Sequence, residues 1–479
     1  MPRITTNFIY NVALTLSTYL INLILFPYVS RVLGVDLVGK VGFVNDTVTY
    51  FSLFAMMGIA TVGIREIAAC GEDREKRSRV FSSLMAIILL FTAVVLAVYL
   101  AAILVVDRFQ ADRDLFVMGA GTLVFTSFLI EWFYQGMEDF RYITLRSVAI
   151  KLAYALMVFL FVRKPVDYRL YFMLTVGMVV LNSLINLAYS RRLVRFSFRN
   201  ASIRGFLKPV LSLGLYKVMI SMYTTFNVIY LGFVASEAQV GYYYSAKKLF
   251  YIILGLFSAF TAVMLPRMSA ILEQGQEEEF RAKTRMTFDI VFAFAFPLIV
   301  YFELLAPELI GLLSGPGYEG AILPMRIISP VLLLSAMAQV WVIQILMPLR
   351  KDRVVLLSSV AGAVVGILAN ILLVGRLGAV GSALVLLVSE IAGNLYSFVY
   401  SIRKGYLKFP VRSFLAFLMG AVAYVLCCLS GKWISGGRLW VTLGVSAVLC
   451  LAYFLFFNLF IYKESQVSGF LRKALLRRA

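Results

Sequence analysis

Apolar stretches recur along the chain, divided by short polar, mostly basic segments. They fall at about 8–33, 41–61, 80–106, 115–134, 142–162, 170–190, 210–234, 241–264, 287–313, 326–347, 354–374, 379–402, 412–432 and 438–462. A membrane-crossing helix needs roughly 20 mainly apolar residues. The pattern therefore predicts an all-α polytopic membrane protein with about 14 transmembrane helices. A barrel would instead show strands of about ten residues with alternating polarity. The first run is too long for a signal-peptide core and lacks a small-residue cleavage site, so it is read as an uncleaved first helix. The longest polar segments, 191–208 and 265–285, fit loops with short interfacial helices.

Composition agrees with lipid as the solvent. The 479 residues are 61% hydrophobic and 15% charged, against about a quarter charged in a soluble domain. No long polar stretch remains to fold as a separate soluble domain. The four cysteines, Cys70, Cys427, Cys428 and Cys450, form neither a metal spacing nor a disulfide framework. There is no histidine, so any proton coupling must use carboxylates or lysines.

The net charge of +20 would suit a nucleic-acid partner, but its distribution points to topology. With the N-terminus in the cytoplasm, basic residues gather on the same side at nearly every loop. They include Arg65, Arg74, Lys76, Arg77 and Arg79, then Arg191, Arg192, Arg195, Arg199, Arg204 and Lys208. Further groups are Arg281, Lys283 and Arg285, then Arg350, Lys351 and Arg353, then Arg403, Lys404, Lys408 and Arg412. The tail adds Lys463, Arg472, Lys473, Arg477 and Arg478. About 30 Lys and Arg fall inside against about 10 outside, which puts both termini in the cytoplasm by the positive-inside rule. The expected location is a bacterial inner membrane, with membrane lipid and no nucleic acid as partner.

A weak internal repeat runs through the chain. Val38-Gly39 reappears as Val240-Gly241, and Arg65 falls on Arg267 in the same register. At a slightly larger offset Ser147-Val148-Ala149 matches Ser359-Val360-Ala361, and Arg141 falls on Arg353. An even number of spans separates the matches, so the repeats run parallel, a known transporter plan. The expected division is 1–200 as a six-helix lobe, 201–405 as a pseudo-symmetric second lobe, and 406–479 as two further helices with a basic cytoplasmic tail.

Charges inside a span cost about 2.5–3.5 kcal/mol at its centre on insertion scales. Lys247 and Lys248 form the sharpest such feature, following the aromatic run Tyr242-Tyr243-Tyr244. In the repeat register they fall on Asn45 and Asp46. One reading is a cationic cavity that receives an anionic head group, lined by Lys247, Lys248 and Lys217, with Lys151 and Arg31 as further candidates. The other is structural pairing with Asp46, Asp289 or Glu390, or snorkelling of the lysine heads toward the interface. The three tyrosines could stack on sugar rings or serve as packing. No catalytic constellation is visible, so the chain does not read as an enzyme.

Six motifs, in order, resemble those of Wzx-type O-antigen and capsule repeat-unit flippases. They are Phe26-Pro27-Tyr28-Val29-Ser30-Arg31-Val32-Leu33-Gly34, Gly63-Ile64-Arg65-Glu66-Ile67-Ala68, and Glu131-Trp132-Phe133-Tyr134-Gln135-Gly136 with Phe140-Arg141-Tyr142-Ile143. Val240-Gly241-Tyr242-Tyr243 with Leu265-Pro266-Arg267, then Ile345-Leu346-Met347-Pro348-Leu349, then Gly378-Ala379-Val380-Gly381-Ser382-Ala383 complete the series. The resemblance covers roughly residues 8–405. It implies the multidrug, oligosaccharidyl-lipid and polysaccharide exporter superfamily, a V-shaped pair of six-helix lobes and alternating access. It implies a polyprenyl-diphosphate oligosaccharide as substrate, moved from the cytoplasmic to the periplasmic leaflet, with polysaccharide polymerase machinery downstream. Many members are drawn with twelve spans, and the extra pair here departs from that count.

Lysines bind phosphate as compact point charges, so Lys247, Lys248, Lys217 and Lys151 would hold the diphosphate. Asp46, Asp289 and Glu390 are candidates for coupling to H+ or Na+, or for simple neutralisation of a lysine. No other cofactor is expected. Three alternatives stay open. A lipid II-type peptidoglycan precursor flippase would share the fourteen spans. A multidrug antiporter would prefer an acidic cavity. A membrane-embedded polymerase or glycosyltransferase would carry a large outer loop, and every outer loop here is short.

Overall fold

The computed structural model describes residues 2–197, 201–463, 467–469 and 472. Arg199, Lys473, Arg477 and Arg478 of the loop count lie outside the described residues. The chain divides into two compact units, Met1–Gly241 and Tyr242–Ala479. The first holds α1 (Pro2–Leu33), α2 (Val35–Met56), α3 (Ile59–Ala68), α4 (Arg74–Val105), α5 (Asp107–Ala111), α6 (Arg113–Thr126), α7 (Glu131–Gly136), α8 (Phe140–Phe161), α9 (Tyr168–Leu193) and α10 (Ile203–Val234). It also holds the first turn of α11 (Glu237–Glu273). The second holds the rest of α11, then α12 (Glu277–Leu304), α13 (Ala306–Leu313), α14 (Ile322–Ile328), α15 (Val331–Gln339), α16 (Asp352–Ala369), α17 (Gly375–Arg403), α18 (Val411–Ser435) and α19 (Leu439–Phe456). Among the described residues there is no strand.

Among the described residues, eleven helical stretches are long and apolar enough to cross a membrane, twelve when the bent pair α2–α3 counts as one. One of them, Asp352–Arg403, is broken at Gly378, where φ is 56° and ψ −128°. Only glycine takes that backbone conformation without steric cost, so the stretch reads as two helices. The 37 residues of α11 rise roughly 55 Å, more than the hydrocarbon core of about 30 Å. The tally is compatible with the fourteen passages expected.

Two runs read as single helices are broken. Between α2 and α3 the axis bends by 44°. There the Gly58 amide donates to the Val210 carbonyl of α10, at 3.2 Å, rather than back along its own helix. The run over 115–134 stops at Thr126 and restarts at Glu131, with Ile130 left-handed at φ 39°. Freed carbonyls at that break are met by α9: Ser183 Oγ donates to the Phe125 carbonyl at 2.6 Å, and the Asn186 amide donates to that of Leu129. Irregular backbone at membrane depth needs such internal partners. The polar segment 265–285 is no interfacial helix. It is the end of α11, a short turn and the start of α12, because its charges extend two helices into water rather than interrupting them.

Two of the quoted motifs meet in the core of the first unit. Gly63 on α3 lies under the Trp132 ring of α7, where a Cβ would stand 2.7 Å from Cδ2. Gly136 at the end of α7 faces Ile67, whose Cβ would be 2.7 Å away. Phe81 of α4 stacks on Trp132 with centroids 5.8 Å apart. Ile59, Val62, Phe133 and Ile143 complete a fully buried cluster. Replacing either glycine would overpack this core.

The second unit is held by an aromatic group at one end. Phe288 and Phe292 of α12 pack edge-on against Phe409, with centroids 5.6 Å and 6.0 Å apart. The helix α15 passes into a π-helical turn, Val340–Leu346, which carries Trp341. Its indole N–H donates to Ser397 Oγ at 3.1 Å. Trp433 and Trp440, near the turn between α18 and α19, are 85% and 73% exposed, as expected of rings that anchor at a membrane interface.

Candidate functional site

The sequence-derived lysines sit in different surroundings. On α8, the Lys151 ammonium donates to Thr18 Oγ1 of α1 at 2.6 Å. Its half-buried stem leaves it tied to a neutral group. Lys217 is half-buried near the middle of α10 and has no hydrogen-bond or ion-pair partner among the described residues. Glu131, at the start of α7, is held by Arg146 at 2.7 Å. The Arg146 guanidinium also lies over the Tyr142 ring, 5.5 Å from its centroid. Arg31 is exposed in the last turn of α1 and donates to the Pro27 carbonyl at 2.7 Å. A cation there also complements the helix C-terminus. Asp46 is half-buried on α2.

In the second unit, Lys247 and Lys248 are caged by their own tyrosines. The Lys247 ammonium stands 4.9 Å from the Tyr244 centroid and 5.6 Å from that of Tyr243. Lys248 stands 5.5 Å from the Tyr244 centroid. A cation over a ring face is attracted by its quadrupole, more strongly when desolvated. The arrangement packs two half-buried ammonium groups against aromatic faces. It also bears on the choice between sugar stacking and packing for the three tyrosines. Tyr243 is fully buried, and Tyr242 packs on the backbone of Gly320, where a Cβ would be 2.5 Å from its ring. Tyr242 and Tyr244 are each half-buried.

The carboxylates differ likewise. Asp289 on α12 is 1% exposed. Two residues earlier on the same helix, Thr287 Oγ1 donates to Gln344 Oε1 at 3.0 Å. Glu390 on α17 accepts from Ser335 Oγ of α15 at 3.0 Å and from Asn394 Nδ2 at 2.9 Å. Its partners are neutral, and among the described residues it pairs with no cation. Glu303 and Arg326 serve local structure: Arg326 Nε donates to the Glu303 carbonyl at 3.0 Å, and Ser329 Oγ to the Glu303 carboxylate. Among the described residues no group of three or more Cys, Asp or Glu is placed to hold a metal ion.

One charged cluster was not singled out from the sequence. Lys40 of α2 contacts Asp112 at 2.9 Å and Glu237 of α11 at 3.3 Å. Arg108 of α5 reaches Glu237 at 3.5 Å and Asp112 at 4.0 Å. Its Nε also donates to the Gly232 carbonyl at 3.1 Å, and its guanidinium lies 5.3 Å from the Phe43 centroid. Two cations and two carboxylates thus join the starts of α2 and α11 to the short α5. The signal was present in the repeated Val-Gly pair, since Gly39 adjoins Lys40 and Gly241 follows Glu237 by one turn.

Comparison with known proteins places this architecture. Residues 4–272 match the family described as polysaccharide biosynthesis protein. The chain is similar to the "Putative O-antigen transporter" of Escherichia coli (strain K12), 25% identical over 391 residues, covering 80% of this chain and 93% of that one. A protein of the same name from Shigella dysenteriae is 24% identical over 382 residues, covering 78% and 94%. Among solved structures, the lipid II flippase MurJ in an inward closed conformation superposes with a TM-score of 0.78 at 14% identity, covering 95% of this chain and 99% of that one. A multidrug resistance MATE transporter in an inward-facing conformation gives 0.59 at 17% identity, covering 82% and 98%. With six motifs in order and a match over more than half its length, the chain belongs to the polysaccharide biosynthesis protein family, as a Wzx-type flippase of the multidrug, oligosaccharidyl-lipid and polysaccharide exporter superfamily.

Proposed function

We propose that this protein moves polyprenyl-diphosphate-linked oligosaccharide repeat units, of an O-antigen, capsule or exopolysaccharide, from the cytoplasmic to the periplasmic leaflet by alternating access. The observation that carries the reading is Lys217, a cation in the middle of a 32-residue apolar helix with no anion among the described residues. Retaining such a charge costs about 2.5–3.5 kcal/mol on insertion scales. An anionic substrate that enters the cavity would offset that cost. Lys247 and Lys248, held over tyrosine rings, supply two further cations for the diphosphate. Lys151 and Arg31 are secondary candidates, since each already donates to a neutral oxygen. The glycan would travel in the wet cavity while the polyprenyl tail stays in lipid.

The basic loops support an inner-membrane protein with both termini in the cytoplasm. A polysaccharide polymerase would then take the flipped unit at the periplasmic face. Cation coupling, to H+ or Na+, would use Glu390, Asp289 or Asp46. Glu390 is favoured because its carboxylate is held by neutral donors rather than matched to a lysine.

The test is deletion of the gene in its source bacterium, followed by measurement of surface polysaccharide and polyprenyl-diphosphate-linked oligosaccharide in the same cells. Loss of polymer with accumulation of single lipid-linked repeat units is expected. Unchanged polymer with new sensitivity to cationic drugs would favour the antiporter instead. A lethal deletion with build-up of peptidoglycan precursor on depletion would favour the lipid II-type reading.

A further inference from the structure

A second basic site lies in the first unit, apart from the lysines discussed above. The polar segment after α9 folds back onto the first turns of α4. Ser78 Oγ accepts from the Arg195 amide at 3.1 Å, and Ser82 Oγ accepts from the Ser197 amide at 3.0 Å. Arg74 closes the same junction, donating to the Arg192 carbonyl at 3.1 Å. Beside these bonds lies an open surface cleft of about 390 Å³ lined by Arg74, Arg79 and Arg195, with Glu75 as its single carboxylate. The side chains of Arg79 and Arg195 have no hydrogen-bond or ion-pair partner among the described residues. The serines fix the backbone that presents these exposed arginines side by side.

We propose that this cleft binds the phosphate of an anionic lipid headgroup at the membrane surface. A guanidinium presents a planar fork of donors that matches phosphate oxygens in pairs. Three guanidiniums against one carboxylate leave the cleft net cationic. The volume is more than ten times the roughly 30 Å³ that a water occupies in the liquid, which leaves room for a glycerol headgroup beyond the phosphate. Phe196, between Arg195 and Ser197, is 44% exposed, and an exposed aromatic beside a basic cleft suits the interface between lipid and water. Basic pockets beside membrane helices are a recurring way to hold anionic headgroups. The site is separate from transport of the glycan lipid and does not depend on which substrate is carried.

The full chain, purified in detergent, would be titrated with phosphatidylglycerol, phosphatidylcholine and sodium phosphate, reading bound lipid by native mass spectrometry and the unfolding midpoint by thermal shift. The wild type is expected to show a saturable phosphatidylglycerol site that raises the midpoint. The double variant R79Q/R195Q should need roughly thirtyfold more phosphatidylglycerol for the same shift, with its lipid-free midpoint unchanged because both side chains are exposed. The variant R79K/R195K should fall between the two, since it keeps charge and loses the fork. Equal responses of wild type and R79Q/R195Q would overturn the proposal. A full response to sodium phosphate, with nothing added by phosphatidylglycerol, would also overturn it and assign the cleft to the free anion. No outcome depends on flipping, so failure of the transport reading would leave this result distinct.

Discussion

Gly39 and Gly241, matched in the internal repeat, touch each other where α2 meets the first turn of α11. A Cβ on Gly39 would collide with the Glu237 carbonyl and stand 2.8 Å from the Gly241 nitrogen. A Cβ on Gly241 would collide with the Val35 carbonyl and stand 2.7 Å from the Val35 side chain. Each atom met first is backbone, which cannot swing aside. A repeat that places the same small residue at both helix starts therefore lets the two backbones come together directly.

Gly39→Val is expected to pry this contact open. Overpacking of a fitted interior typically costs about 1–3 kcal/mol, and with backbone on the other side the upper part of that range is expected. Thermal unfolding of the purified variant measures it. A midpoint equal to wild type would mean that the crossing is looser than described.

Asp112→Ala should destabilise by a comparable amount. The side chain is nearly buried and is shared by Lys40 and Arg108. Removing one partner of a buried ion pair costs about 3–5 kcal/mol, but Lys40 and Arg108 are 21% and 26% exposed, so solvent lowers the figure to roughly 1–3 kcal/mol. Unfolding in low and in high salt separates the two contributions. A loss that shrinks with salt is expected of the partly exposed pairs.

Lys247→Ala with Lys248→Ala should lower transport by roughly tenfold or more while the protein remains folded in the membrane. Transport is read as surface polymer restored to a deletion strain, and folding as the unfolding midpoint of purified protein. Normal polymer from the double variant would remove both lysines from the mechanism and leave Lys217 as the residue to test.

Asp73 makes the start of α4 sensitive to acid. Its carboxylate accepts from the backbone N–H groups of Lys76 and Glu75, at 2.9 Å each, and these bonds hold it below the ordinary carboxylate range. A carboxyl depressed in the folded state adds stability above its unfolded value and loses it as pH falls through its folded value. Hydrogen exchange in the first turn of α4 should therefore quicken as pH drops from about 5 to about 2, beyond the intrinsic change. Asp73→Asn, which keeps an acceptor oxygen, should abolish that extra acid dependence. An unaltered dependence in the variant would place the acid response elsewhere.

Much of the architecture was legible because lipid imposes a local rule. Each crossing must be apolar over its own length and satisfy its own backbone, so hydropathy alone located the helices. The positions of α4, α8, α12, α18 and α19 follow from runs of adjacent residues. The breaks were not legible in the same way. Gly58 leaves its helix for the Val210 carbonyl, and the break before α7 depends on Ser183 and Asn186 of α9, partners far away in sequence. The long α11 was cut short for a related reason, since charged residues mark where a helix leaves the lipid and not where it ends.

Candidate charges were found by their misfit with an apolar span, a property of single positions. Their roles needed neighbours. Glu131 is the partner of Arg146, and Lys151 is tied to Thr18. Glu390 rests on Ser335 and Asn394, and Tyr243 is buried rather than open to a sugar. The cluster of Lys40, Arg108, Asp112 and Glu237 escaped notice because each member sits at a helix end, where a charge is cheap and unremarkable alone. By itself the sequence determined the helical membrane class, the approximate count of crossings and the family, since these rest on local hydropathy and ordered motifs. Only the tertiary structure decided which charges neutralise one another, because pairing energy depends on distance across helices that the order of residues does not specify.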